Sequence, residues 1–210
     1  MNDGIKEYKK YLADHFPGLK IQKPLFFNGK FGLRFDLQVG ETDTEDYFKE
    51  VISRSKSLFE MAFASTDNVF LLYMKPKWKK RKIRFGNYCF KQIGQLNKDE
   101  INYSIVNNVY EKGDAYNLAV LKLTTERINY LNILTAIANT DFPPRQPRFR
   151  VVGGEEIYFI NTSKNLIFHM YDDRGLDIIS PKVEILKPIY SKYKDWILDV
   201  NRTQIEKMFQ

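Results

Sequence analysis

The chain has 210 residues, of which 43% are apolar and 15% aromatic, enough for a hydrophobic core without disulfides or metals. Cys89 is its only cysteine, which excludes an internal disulfide and a cysteine-based metal cluster within one chain and favours a reducing, cytoplasmic location. The longest apolar run, residues 69–74, falls far short of the roughly twenty residues that span a bilayer, and charges interrupt the N-terminus where an export signal would be apolar. We therefore expect no membrane partner.

The positive charge of the chain is concentrated in one place. The formal net charge is +7, and residues 75–84, here called the basic segment, contain no acidic side chain. Without the lysines and arginines of the basic segment, the rest of the chain is formally neutral.

Positive side chains around an aromatic residue suit phosphate contacts and base stacking. The basic segment therefore predicts binding of nucleic acid or another anionic partner through Lys77, Trp78, Lys79, Lys80, Arg81, Lys82 and Arg84. The alternative is a solvated strand edge, on which lysine and arginine prevent edge-to-edge pairing and cover the tryptophan with their aliphatic stems.

The first elements in chain order are a helix and a hairpin. Apolar residues at helical spacing predict an amphipathic helix over residues 4–16. An Asn28-Gly29 turn between apolar runs then predicts a β-hairpin over residues 24–39. Alternation along its second strand predicts that Arg34 and Asp36 lie on the solvated face.

The middle of the chain alternates helix and strand signals. Thr42 and Glu45 have the spacing of a capping box, which predicts a second helix. Residues 68–74 predict a central strand that leads into the basic segment, and residues 88–93 predict another strand. Cys89 lies between two aromatic residues, so we interpret it as a core residue rather than a nucleophile.

The remaining elements follow at shorter intervals. Residues 116–123 predict a strand and residues 126–139 a helix, which the three prolines of residues 141–147 would end. A second hairpin is predicted over residues 157–171, and Ser180-Pro181 predicts the start of a final helical region.

These elements predict an α+β fold. Antiparallel strands from the two hairpins and the central strand would be covered by N- and C-terminal helices. The prolines near residue 143 predict the boundary between an N-terminal lobe, residues 1–140, and a C-terminal hairpin-plus-helix lobe, residues 141–210, which together form one compact unit.

The densest group of reactive side chains follows the predicted strand over residues 166–171. On such a strand, His169 and Asp173 would share one face, so an imidazole and a carboxylate could meet as a catalytic base pair or as two metal ligands. This arrangement would suit a hydrolase that uses His169 with Asp172, Asp173 or Asp177.

The structural alternative for the same residues is a tight turn. Asp172 or Asp173 would accept backbone N–H bonds, Gly175 would supply a positive φ, and Arg174 would pair with an acid elsewhere. The sequence contains no nucleophile elbow, zinc-protease motif or phosphate-binding glycine loop, so we expect neither a metal nor a cofactor.

Most of the chain resembles a known family. The resemblance rests on residues 158–161 (YFIN), 164–177 (KNLIFHMYDDRGLD) and 193–199 (YKDWILD), and on residues 15–19 (HFPGL) and 32–37 (GLRFDL). These segments are similar to a bacterial family known as domain of unknown function 3885. The resemblance implies a Gram-positive bacterial cytosolic protein with no established activity. Some family members lie near contact-dependent toxin genes, which makes an immunity role conceivable.

Three functional hypotheses follow. The leading one is a non-catalytic binding or regulatory protein, whose partner could be a toxin domain. The second is a binder of nucleic acid or another anionic surface through the basic segment, and the third is a hydrolase centred on His169. The net charge of +7 counts against immunity to a basic nuclease toxin.

Overall fold

The structure, a computed structural model, describes residues 3–77, 83–108, 111, 113–149 and 154–210. Its strands are β1 (Phe31–Asp36), β2 (Asn68–Pro76), β3 (Asn102–Asn107), β4 (Ala115–Thr124), β5 (Glu156–Asn161), β6 (Leu166–Met170) and β7 (Gly175–Ser180). Its α-helices are α1 (Asp3–His15), α2 (Glu45–Ala62), α3 (Tyr88–Lys91), α4 (Tyr130–Ala138), α5 (Val183–Tyr193) and α6 (Asp199–Glu206). Short 3-10 helices cover Leu25–Phe27, Lys98–Glu100, Thr125–Arg127 and Lys194–Trp196.

Within the described ranges, the strands form one antiparallel sheet in the order β1-β7-β6-β5-β2-β4-β3. This confirms the predicted α+β class. Strands from the two halves of the sequence alternate, because β5, β6 and β7 lie between β1 and β2. The division of the chain near residue 140 stays a prediction, although both of its parts contribute to the same sheet.

Helices cover both faces of the sheet. On one face, here called the α2 face, the ring of Phe59 on α2 stacks on Tyr130 of α4 at 4.2 Å and packs edge-on against Phe168 of β6. On the other, here called the α1 face, Tyr8 of α1 packs edge-on against Phe70 of β2. Each face buries its own apolar cluster, and this double burial explains why the central strands are apolar on both sides.

Several predicted elements are confirmed. Helix α1, strands β2 and β4, and the β5–β6 hairpin lie where the hydrophobic pattern placed them. The predicted helix over residues 126–139 is α4, which begins at Tyr130 after a 3-10 turn. Among the described residues, no helix has both the length and the apolar character needed to cross a bilayer.

The predicted hairpin at Asn28-Gly29 is wrong. Asn28 has φ −91°, so the turn type that favours Asn-Gly, which needs positive φ, does not form. Residues 25–27 are a 3-10 helix, and β1 pairs instead with the distant strand β7. Gly29 is needed for close packing, because a Cβ there would approach the side chain of Ile179 to 2.8 Å.

The strand predicted over residues 88–93 is also wrong. Residues 88–91 form the single turn α3, because the side chain of Asn87 accepts the backbone N–H of Phe90 at 2.9 Å and caps the turn. Cys89 is fully buried in this turn, and burial raises the pKa of its thiol. Its interpretation as a core residue is therefore confirmed.

The start of α2 differs from the predicted capping box. The helix begins at Glu45, and the residue before it, Thr44, accepts the backbone N–H of Tyr47 at 3.2 Å through its hydroxyl. Thr42 is exposed and lies too far before the first turn to act as its N-cap.

Replacing the cap residue tests this assignment. We expect Thr44→Ala to lower the free energy of unfolding by about 1 kcal/mol, because an N–H in the first turn of α2 loses its acceptor. Urea denaturation measures the change, and Thr42→Ala is the matched control, for which we expect almost none. Equal losses in the two variants would contradict the assignment.

Candidate functional site

A row of polar side chains crosses the sheet on the α1 face. The strand register pairs Arg34 of β1 with Asp177 of β7, and Asp177 with His169 of β6. On the next strand, Tyr158 of β5 stacks on His169 with ring centroids 4.1 Å apart. Side chains at paired positions of neighbouring strands share a face and touch. These four residues, here called the buried polar row, therefore form one continuous group.

The charges at the β1 end of the row are paired. The guanidinium of Arg34 donates two hydrogen bonds to the carboxylate of Asp177, at 2.7 and 2.9 Å. Asp177 is fully buried and also accepts the backbone N–H of Phe26 at 3.0 Å. The Arg34 side chain is 12% exposed and lies over the rings of Phe27 and Tyr171. Such bidentate geometry is what offsets the cost of burying two charges.

His169 occupies the middle of the row. It is fully buried, and no group among the described residues forms a hydrogen bond with either ring nitrogen. Burial lowers the pKa of His169 to about 3, and the charges of Lys23 and Arg34 act in the same direction. The imidazole is therefore neutral at pH 7 and packs as a flat ring against Tyr158.

The opposite end of the row reaches a polar cavity. The hydroxyl of Tyr158 donates to the buried carboxylate of Glu156, and the ammonium of Lys23 lies 3.7 Å from the same carboxylate. Burial raises the pKa of Tyr158 well above its ordinary value. Glu156 and Lys23 line the cavity of about 720 Å³ together with Lys77 and Asp114. Where the row approaches the surface, its outermost charges are therefore of both signs.

Of the three carboxylates proposed as partners of His169, the structure places Asp177 beside it on the neighbouring strand and Asp172 and Asp173 in the turn after β6. Strand β6 ends at Met170, so the expected shared face of His169 and Asp173 is wrong. Asp173 accepts a hydrogen bond from the hydroxyl of Tyr47 on α2, and burial raises the pKa of Asp173. Asp177 is the carboxylate that shares the α1 face with His169, but both of its oxygens are occupied by Arg34.

The residues between β6 and β7 form a turn. Asp172 accepts the backbone N–H of Arg174 at 2.8 Å and forms an ion pair with the same residue, so Arg174 does not pair with a distant acid. Gly175 begins β7 and does not have positive φ, contrary to expectation. It is required because a Cβ would approach the carbonyl oxygen of Phe35 to 2.7 Å and clash with the Tyr171 hydroxyl.

The structure describes the two ends of the basic segment. Lys75 forms an ion pair with Glu155 at 2.8 Å, which neutralises one positive charge of the basic segment. Lys77 and Arg84 are exposed, whereas Ile83 is buried. The five other proposed binding residues, Trp78, Lys79, Lys80, Arg81 and Lys82, lie outside the described residues.

Sequence reasoning named His169 and Asp177 as candidates but missed Arg34 and Tyr158, which complete the row. Arg34 was expected on a solvated face, and no strand was predicted over residues 175–180. The available signal was the alternation in residues 175–180, which places Asp177 and Ile179 on one face. In the part of the chain that the structure describes, no three His, Cys, Asp or Glu side chains converge on a position for a metal ion.

A double-mutant cycle tests the structural role of the ion pair. We expect Arg34→Met to lower the free energy of unfolding by about 3–5 kcal/mol, because Asp177 would stay buried without its partner. The double variant Arg34→Met/Asp177→Leu should lower the free energy of unfolding by less than Arg34→Met alone, since it also removes the carboxylate that would be left unpaired. Lys49→Met, which removes an exposed ion pair with Asp46, is the control and should change little. Additive losses in urea denaturation would contradict the coupling.

Comparison with known proteins agrees with the sequence resemblance. The chain is similar to a Bacillus subtilis (strain 168) protein described as uncharacterized protein YnaE, with 25% identity over 206 residues that cover 89% of this chain and 95% of that protein. No solved structure matches the chain. The model of the family described as Domain of unknown function (DUF3885) matches residues 8–201, which include the whole buried polar row and the basic segment. The chain therefore belongs to the DUF3885 family, a bacterial family without a characterised function.

Proposed function

We propose that this protein is a non-catalytic binding protein that recognises another protein at the β3 end of its sheet. The observation that carries the proposal is an exposed apolar surface next to the basic segment. Tyr103 and Ile105 of β3 are 47% and 53% exposed, and Ile83 of the basic segment lines the same groove as these two side chains. Contiguous apolar exposure rimmed by charge is typical of protein interaction sites.

The environment of His169 supports a role in folding rather than catalysis. A general base must lie within hydrogen-bond reach of its substrate and have a pKa near the working pH. His169 is fully buried with a pKa near 3, and the neighbouring carboxylate of Asp177 is held by Arg34. The same side chains therefore satisfy the requirements of a packed sheet better than those of a hydrolase.

The basic segment favours an acidic partner. Its exposed ends, Lys77 and Arg84, are not used in ion pairs with described residues, whereas Lys75 is paired with Glu155. An immunity role would accordingly need a toxin domain whose docking surface is acidic, because electrostatic complementarity selects partners of opposite charge. Nucleic acid is the second candidate, favoured by the positive charge of the same segment.

Affinity purification separates these candidates. The tagged protein is recovered from cells of a DUF3885-containing bacterium, bound polypeptides are identified by mass spectrometry, and the ratio of absorbance at 260 and 280 nm reports nucleic acid. We expect a specific polypeptide whose recovery falls when Lys79, Lys80, Arg81 and Lys82 are changed to Ala. The matched control changes four exposed lysines elsewhere to Ala: Lys182, Lys187, Lys194 and Lys207. Recovery of nucleic acid without a polypeptide would replace the proposal by the second candidate.

The pH dependence of stability tests the structural role of His169. The pKa of this residue falls from 6.5 to about 3 on folding, so the unfolded chain binds a proton that the folded chain excludes. The contribution of neutral His169 to the free energy of unfolding is therefore complete above pH 6.5. It should be lost as the pH falls from 6.5 toward 3, by at most about 1.4 kcal/mol per pH unit.

The variant His169→Phe isolates this contribution. Phenylalanine keeps a flat ring against Tyr158 and has no nitrogen to protonate or to leave unpaired. We expect the variant to be more stable at pH 7 by about 1 kcal/mol, and to lose less stability between pH 6.5 and 4.5 than the natural protein. Denaturant unfolding at a series of pH values measures both quantities. Identical pH profiles for the two proteins would contradict the buried, neutral state of His169.

A further inference from the structure

We propose that β3 accepts an extended segment of the partner protein as an additional strand, and that acidic residues beside this segment contact Lys77 and Arg84, the exposed ends of the basic segment. The inference rests on the proposed function and specifies how the partner binds.

The two edges of the sheet differ. At the β1 edge, Ile197 forms a bridge with Phe35, and the N–H of Leu198 donates to the carbonyl of Arg34 at 3.0 Å. The chain itself thereby covers this edge at Arg34 and Phe35. At the other edge, β3 pairs with β4, and within the described ranges no further strand pairs with it. The β3 edge is the place where the sheet can be extended.

The register identifies the backbone groups that point outward. The N–H of Asn108 donates to the carbonyl of Asp114 at 2.9 Å, which sets Asn108 and Asp114 as a hydrogen-bonded pair. Because such pairs alternate along antiparallel strands, Ser104 and the other even-numbered residues of β3 bond to β4. The N–H and C=O groups of the odd-numbered residues point away from the sheet: Tyr103, Ile105 and Asn107.

The neighbouring pair of strands agrees with this register. The N–H of Lys77 donates to the carbonyl of Ala115 at 2.7 Å, so the odd-numbered residues of β4 bond toward β2. The even-numbered residues of β4 are left to bond toward β3, as the Asp114 bond requires. Two independent hydrogen bonds therefore place the same backbone groups at the outer edge.

A groove lies beside the outward-facing residues. It has a volume of about 530 Å³, and we call it the edge groove; its lining residues are Ile83, Tyr103, Ser104, Ile105, Asn117 and Leu118. Strand addition uses main-chain hydrogen bonds for affinity and pockets for alternate side chains for specificity. The edge groove can take alternate apolar side chains of an added strand, because its exposed walls are the side chains of Tyr103 and Ile105.

The sequence of β3 lacks the residues that commonly protect an edge strand from pairing. Natural edge strands are interrupted by lysine, proline or a bulge. The β3 sequence, NYSIVN, has no charge and no proline, and it includes the β-branched residues Ile105 and Val106. Such an edge is suited to accept a strand.

Charge selects the partner. Lys77 bonds to Ala115, which is paired with Asn107 at one end of β3, and Ile83 lines the edge groove. The sequence between Lys77 and Ile83 contains four further basic side chains. A second copy of this chain would carry the same positive charge and be repelled. An apolar strand flanked by aspartate or glutamate meets the opposite charge and is favoured.

The experiment measures peptide binding to the full chain by fluorescence anisotropy. The probe is a labelled synthetic peptide with the core Val-Thr-Val-Thr-Val followed by Glu-Asp-Glu-Glu, and the control peptide ends in Lys-Arg-Lys-Lys. We expect the acidic peptide to bind and the basic peptide to bind at least tenfold more weakly. Raising the salt concentration should weaken the binding of the acidic peptide, since the charges that flank its core contribute to binding.

Two variants at one position test strand addition. Ile105→Pro removes an N–H that points outward from the edge, and it should lower the affinity for the acidic peptide about tenfold. The control Ile105→Val keeps this donor and should bind the peptide nearly as well as the natural protein. Circular dichroism checks that each variant is folded. If Ile105→Pro does not fold, Ile105→Asn takes its place, because it keeps the backbone and puts an uncharged polar group in the edge groove, and the same weakening of binding is expected.

Each alternative has its own outcome. Unchanged affinity in Ile105→Pro, or equal binding of the two peptides, would overturn strand addition. Binding of single-stranded oligothymidylate, lost only in the variant with Lys79, Lys80, Arg81 and Lys82 changed to Ala, would assign the surface to nucleic acid. A dimer in light scattering that Ile105→Pro dissociates would assign β3 to a second copy. If Ile105→Pro still recovers the polypeptide partner from cells, the proposed function stands and strand addition alone fails.

Discussion

The ion pair between Arg34 and Asp177 joins the beginning and the end of this fold, because β1 and β7 come from distant parts of the sequence and meet at these two residues. Both side chains lie on a face that the chain covers, so their charges depend on each other and on the N–H of Phe26. Breaking the pair would leave a charge in an apolar layer, which costs more than most packing defects. The contact lies at the register position that joins β1 to β7, and the pairing of β7 with β6 brings His169 beside Asp177.

The buried polar row also explains how reactive residue types can occur together without forming an open site. His169 is flanked by the Arg34–Asp177 pair on one side and by the ring of Tyr158 on the other, and solvent does not reach it. Desolvation favours the uncharged imidazole, as the lowered pKa of His169 indicates. Chemistry that needs a proton to enter and leave is disfavoured in such a place, whereas a neutral ring packs well.

The two edges of the sheet differ in how far the chain covers them. At the β1 edge, residues 194–198 supply backbone and apolar partners, and the Arg34 carbonyl is satisfied there. At the β3 edge, exposed apolar side chains and outward backbone groups lie close to the ends of the basic segment. The polar interior and the open edge are therefore separate features, and the proposed binding role belongs to the second.

The sequence by itself determined the fold class, the helix α1, the strands β2 and β4, and the β5–β6 hairpin, because these signals are local periodicities of apolar residues. It also located the basic segment, which is a matter of composition. The pairing of β1 with β7 was decided by tertiary structure, since the Asn28-Gly29 signal is local and the register that overrides it is long-range. The neighbour of His169 was likewise decided by tertiary structure, because the sequence offered Asp172, Asp173 and Asp177, and the pairing of β6 with β7 brings Asp177 alone of these three to the same face.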